Sequence, residues 1–271
     1  MRREGFLAYG AQQMTECVCA LEACLSALAP DDLRAVEDAL AAAHRLQTCL
    51  TLFAKGYPSP RVSLWKRRLR RIVRALNALR DCLRLAEWIA AQQPPPECAA
   101  GVRRALLRLH QRAETLHQTL RQAQQRWRDD HIPNEITGLS RRWMQSFGDE
   151  AVDADYALLV WQHFRREQLA ALESPAPSLA VRCGRVRALL EACDLLAPLG
   201  LSLECPDDLQ ARYDALDAQR FREEAHRLLR ELLQGERERA LQYAGNLRSF
   251  GRIQKGWEWL MEHIGLDIIP S

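Results

Sequence analysis

Six of the ten residues from Trp65 to Arg74 are basic: Lys66, Arg67, Arg68, Arg70, Arg71 and Arg74. No acid interrupts them until Asp81. A guanidinium group holds phosphate or carboxylate oxygens in a planar fork, so a row of them along a helix matches a repeating anion. Like charges at i, i+4 cost roughly a few tenths of a kcal/mol each. The run therefore calls either for an external anion or for acids on a neighbouring helix, and the sequence leaves both open.

Other chemistry is sparse. The seven histidines are His44, His110, His117, His131, His163, His226 and His263, and they are spread along the chain. His110 and His117 share a helix face, but no HExxH is present. There is no P-loop and no GxSxG, and the glycine-containing stretch from Tyr243 to Gly256 has the order of neither. Glu223 and Glu224 sit among arginines and read as a solvated face. Of Trp257 and Trp259, one is expected in the core and the other on the surface, a weak sign of a partner site. We expect no catalysis, no cofactor and no metal.

The nine cysteines form no CxxC and no zinc spacing. Buried free thiols in a reducing cytoplasm, without a disulfide framework, are expected. The N-terminus lacks a sustained apolar run, so no signal peptide is read, and no membrane span is expected. The protein is expected to be cytoplasmic.

With 271 residues, 48% of them hydrophobic, the chain can bury a sizeable core. Its formal net charge is only +3, so the basic stretch is local; residues 148–155 are acidic. Of 38 Lys and Arg, lysine occurs only at 55, 66 and 255. We read the overall arginine bias as the codon usage of a GC-rich genome rather than as chemistry.

The elements that carry these residues are helical throughout, since strand alternation is nearly absent. Helices are expected at about 4–28, 33–54, 61–93, 97–130, up to 147, 149–173, 179–197, 206–217, 219–246 and 250–264. KGYPSP (55–60), Pro94-Pro95-Pro96 and SPAPS (174–178) punctuate them. In the third helix, Trp65, Leu69, Ile72, Leu76, Leu79 and Leu83 form a narrow apolar seam, as in bundles of long antiparallel helices. Arg67, Arg71 and Arg74 share one face. Lys66, Arg70, Asn77, Arg80 and Arg84 flank the seam.

The end of that helix, LRRIVRALNALRDCLRLAEWI, resembles the signature helix of the CHAD family, the conserved-histidine α-helical domain proteins. Leu76, Arg80 and Asp81 match its Leu-Gly-x-x-Arg-Asp pattern, with Asn77 in place of the glycine. In the preceding helix, Val36, Arg45, Leu46, Leu50 and Phe53 fit the family frame. The resemblance implies an all-α fold of two similar antiparallel helical bundles, here residues 1–147 and 148–271. A second copy of the motif is similar at 178–196, through Arg185, Arg187 and Glu191, with 228–241 as its partner helix. Glu37 stands where the family has its first histidine, and Leu40, His44 and Gln47 stand where it has basic residues. Pro177, Ala180 and Gly184 fall at His, Arg and Lys positions of the second copy.

The resemblance implies binding of inorganic polyphosphate in a basic groove between the bundles. The residues expected to carry it are Arg67, Arg71 and Arg74, then Lys66, Arg70, Arg80 and Arg45, with Arg185 and Arg187 from the second half. Arg80 has a second reading, pairing with Asp81 or another acid to lock the bundle. Two other functions stay open. The missing basic residues fit a helical protein–protein scaffold that has lost the anion site. Nucleic-acid binding would need aromatic rings among the arginines, and the stretch 65–81 offers only Trp65.

Overall fold

Proline and glycine positions cut the chain into long helices, and the apolar stripe on each decides which face turns inward. The structure, a computed structural model, describes residues 3–29, 31–173, 177–203, 205, 208–242 and 247–264. Its helices are α1 (Glu4–Ala27), α2 (Leu33–Leu52), α3 (Ser59–Ala91), α4 (Ala99–Asp129), α5 (Ile132–Phe147), α6 (Ala154–Glu173), α7 (Leu179–Leu196), α8 (Leu209–Gln242) and α9 (Leu247–His263). Short 3-10 turns follow α2 and α7. The described residues contain no strand.

The helix boundaries have local causes. α3 begins Ser59-Pro60, where a proline costs nothing because first-turn amides are unpaired anyway, and it stops short of the three prolines at 94–96. α4 ends before His131, which is left-handed at φ 53°; Pro133 then opens α5, since it cannot continue a helix begun upstream. Ser178 caps α7 by accepting from the Val181 amide. Asp153 accepts from the Tyr156 amide at the start of α6.

One expectation fails here. The break expected between 217 and 219 does not exist, and α8 runs through it as one helix. The Asp217 carboxylate faces arginines instead of capping a new helix. The expected bounds at 206 and 246, and residues 174–176, lie outside the described residues.

A second correction concerns sulfur. Cys193 and Cys205 form a disulfide across twelve residues. Between them the chain reverses through a 3-10 turn and Gly200, held at φ 65°, a conformation open to glycine at no steric cost. Seven cysteines are free, and five of them are buried.

The chain forms two compact units, each drawn from several stretches of sequence. The division into an N-terminal helical bundle at 1–147 and a C-terminal one at 148–271 stays a proposal. The first unit comprises 1–29, 34–76 and 119–216. Its core holds Phe6, Leu21, Leu46, Phe53, Trp65, Leu69, Trp127 and Trp161. The Phe6 and Phe53 rings lie 5.1 Å apart. The seam read from α3 points inward here: Trp65, Leu69, Ile72 and Leu76 are wholly buried.

The second unit comprises 30–33, 77–118 and 217–271. Its core takes in Leu79 and Leu83 of the α3 seam, together with Leu85, Leu109, Phe221, Leu229, Trp257 and Leu260. There α4 and α9 cross with their backbones almost touching: a Cβ added at Gly256 would lie 2.7 Å from the Gly101 Cα and 2.3 Å from the Cys98 carbonyl oxygen.

Candidate anion-binding site

The arginine helix sorts into three groups, and the helix pitch decides which residue joins which. Lys66 and Arg70 lie one turn apart on a flank of the seam, and Arg70 Nε donates to the Lys66 carbonyl at 3.2 Å. Both line a cavity of about 480 Å³ in the first unit, with Arg185 and Arg187 from α7. Thr48 and Thr51 of α2, and Phe164 and Gln168 of α6, complete much of its wall. The volume is that of a small-molecule site.

The electrostatics of the four cations differ. Lys66 is partly buried, and burial, aided by the neighbouring Arg70 charge, lowers its pKa against the opposing pull of Glu167. Among the described residues neither Lys66 nor Arg70 has an ion-pair partner. Arg185 donates to Gln168 Oε1 at 2.9 Å, a neutral contact that orients the guanidinium without cancelling its charge. Arg187 is different. It pairs with Glu191 at 2.7 Å and lies over the Tyr213 ring. Glu191 also meets Arg45 at 3.9 Å, so one buried carboxylate serves two of the expected ligands.

Arg67, Arg71 and Arg74, expected to lead the site, are exposed and do not line the cavity. They too have no ion-pair partner among the described residues. Arg68 is neutralised by Asp130 at the end of α4. Glu135 of α5 takes Arg61 at 2.8 Å and accepts from the Trp65 indole.

Arg80 lies in the second unit and follows its second reading. It is buried and donates to Asp81 and Asp217, while Arg84 and Arg220 close on the same carboxylates. The Arg84 guanidinium also covers the Phe221 ring at 4.3 Å. Burial pushes the Asp81 carboxyl up to about 6 against the pull of Arg80. Arg80 is committed to the fold, and a soluble anion would have to displace two carboxylates to reach it.

Sequence reasoning passed over the neutral part of the cavity. Thr48, Thr51, Gln168 and Phe164 carry no charge pattern, and only the packing of α2 with α6 and α7 brings them together. Four residues noted as departures from the family pattern, His44, Gln47, Ala180 and Gly184, also open on this cavity.

The sequence matches the CHAD domain over residues 12–159, from α1 into α6. The chain belongs to the CHAD family. The crystal structure of the CHAD domain from the plant Ricinus communis is similar in fold, with a TM-score of 0.60 at 15% identity, covering 96% of this chain and 87% of that one. No curated protein sequence matches the chain. The all-α expectation holds, and the fold is that of a CHAD domain. The α7 wall of the cavity lies beyond the matched residues, so this CHAD chain supplies Arg185 and Arg187 from outside the recognised segment. Among the described residues no helix is long and apolar enough to cross a membrane.

Proposed function

We propose that this CHAD protein binds an inorganic polyanion without catalysis, polyphosphate being the favoured ligand, and that the cavity of the first unit is where it is held. The observation that carries this is the pair Lys66 and Arg70, which line the cavity with Arg185 and form no salt bridge among the described residues, Glu167 acting on Lys66 only at longer range. Lys66 is a cation taken partly out of water, which is unfavourable unless an anion compensates it, while Arg70 adds its charge from an exposed position. A phosphate between these groups would supply that compensation and raise the Lys66 pKa toward its ordinary range. The exposed row Arg67, Arg71 and Arg74 would then follow a chain that leaves the cavity, contributing screened, long-range attraction.

The experiment is a titration with long-chain polyphosphate, and with single-stranded RNA of matched charge, at low and physiological salt. The proposal expects polyphosphate binding that survives physiological salt and exceeds RNA. The double variant Lys66→Gln, Arg185→Gln should lose most of that binding. The triple variant Arg67→Gln, Arg71→Gln, Arg74→Gln should mainly flatten the salt dependence, the logarithmic slope falling by about one for each phosphate no longer held. Binding left intact by the double variant would move the site away from the cavity. Weak binding to both anions would favour the scaffold reading, which the uncharged Gln47, Ala180 and Gly184 in the cavity wall support.

A further inference from the structure

Cys17 of α1 and Cys49 of α2 face one another inside the first unit, with their sulfurs 3.5 Å apart. They are 3% and 0% exposed. The buried thiols of the second unit behave differently: Cys82 donates to the Leu109 carbonyl and Cys98 to that of Lys255, which occupies each as a donor to backbone. Among the described residues, 17 and 49 are where two free thiols meet.

Their surroundings are not symmetrical. Cys49 hydrogen-bonds Cys17, and the Arg45 guanidinium acts on both sulfurs; together these hold the Cys17 thiol below its ordinary value although burial acts the other way. Burial, and then Cys17 itself, push the Cys49 thiol well up. Glu16 and Glu191 are the acids that act on the pair, and Tyr9 is the neighbouring phenol. Two sulfurs are thus in contact beside the Arg45 guanidinium, which favours negative charge on Cys17.

We propose that Cys17 and Cys49 are an oxidative modification site, closing to a reversible disulfide between α1 and α2 when the protein meets hydrogen peroxide. The Cys17 thiolate attacks one peroxide oxygen. The S–O bond forms, the O–O bond breaks, and the departing hydroxide takes a proton and leaves as water. The Cys49 sulfur then attacks Cys17 Sγ. The S–S bond forms, the S–O bond breaks, and the second hydroxide leaves as water with the Cys49 proton. Two thiols and one peroxide thus give one disulfide and two waters. A dithiol reductant reverses the product by exchange. The sulfurs need approach from 3.5 Å to about 2.05 Å. The inference does not depend on the anion reading.

The test treats the full folded chain with hydrogen peroxide, removes the peroxide, blocks remaining thiols by alkylation in denaturant, and maps the unreduced digest by mass spectrometry. The expected result is a cross-linked peptide pair containing Cys17 and Cys49, lighter by two hydrogens and abolished by dithiothreitol. In Cys49→Ser, the resolving sulfur is gone, and dimedone should trap a sulfenic acid at Cys17. Circular dichroism checks that this variant keeps its helix content; the wild-type cross-link needs no variant at all. Full alkylation of Cys17 and Cys49 after a dose that oxidises exposed Cys19 would overturn the proposal. So would trapping at Cys49 in Cys17→Ser at the rate seen for Cys17.

Discussion

Glu236 is a buried carboxylate of the second unit that holds three arginines, and Glu236→Gln tests how much stability it contributes while keeping the side chain's shape. Its carboxylate is 5% exposed and shared among Arg104, Arg108 and Arg239. Burial alone would raise its pKa, but hydrogen bonds from Arg108 and Arg104 overcome this and hold it below the ordinary glutamate value. Removing one partner of a buried ion pair costs about 3–5 kcal/mol, because the other is stranded. That figure is an upper bound here. Arg239 and Arg104 are 51% and 35% exposed and can turn to water, whereas Arg108 is 15% exposed and cannot do so freely. We expect a loss of about 2–3 kcal/mol at neutral pH, or roughly 4–12 °C in melting temperature for a chain of this size. The assay is thermal denaturation followed by helical ellipticity at pH 7 and at stepwise lower pH. A depressed carboxyl stabilises the fold above its unfolded pKa, and that stability disappears as pH falls through the folded value. Wild type and variant should therefore converge in acid. Equal melting temperatures at pH 7, or a gap that persists once glutamates are protonated, would refute the reasoning.

Gly256→Ala should destabilise by about 1–3 kcal/mol or more, since the added methyl meets backbone that cannot yield, while Gly235→Ala in α8, with open space around its Cβ, should stabilise by up to about 1 kcal/mol. Chemical denaturation of both variants checks the contrast in sign. Burial pushes the phenols of Tyr9 and Tyr57 up to about 12, against an ordinary tyrosine value of about 10. In an ultraviolet absorbance titration, Tyr9→Phe and Tyr57→Phe should leave the step near pH 10 undiminished; a smaller step in either variant would contradict this.

The α3 seam was legible because helix pitch alone decides it, and every residue named for it is buried. Pitch also separated Lys66 and Arg70 from Arg67, Arg71 and Arg74. What pitch could not supply was the location of the acids. Asp130 and Glu135 lie some sixty to seventy residues beyond the arginine and tryptophan they serve, and only folding brings them near. The same holds for Asp217, which local sequence presents as a helix boundary and the second unit uses as an arginine partner. Gln168 and Thr51 were invisible as site residues because neutral side chains leave no trace in a charge pattern. The twelve-residue span from Cys193 to Cys205 did carry a signal, the Pro198–Gly200 turn between them, which doubles the chain back.

The near-absence of lysine has a practical consequence for chemistry at the cavity. Acylating reagents attack neutral amines and leave guanidinium groups alone, so almost all of this protein's positive charge is inert to them. Lys55 and Lys255 are exposed side chains, whereas Lys66 is partly buried with its pKa lowered. At mildly alkaline pH Lys66 therefore carries a larger neutral fraction than an ordinary lysine and sits where an occupant would shield it. A three-lysine protein with one of them in the cavity is its own footprinting probe, in which the ratio of label at 66 to label at 55 and 255 reads occupancy without any mutation.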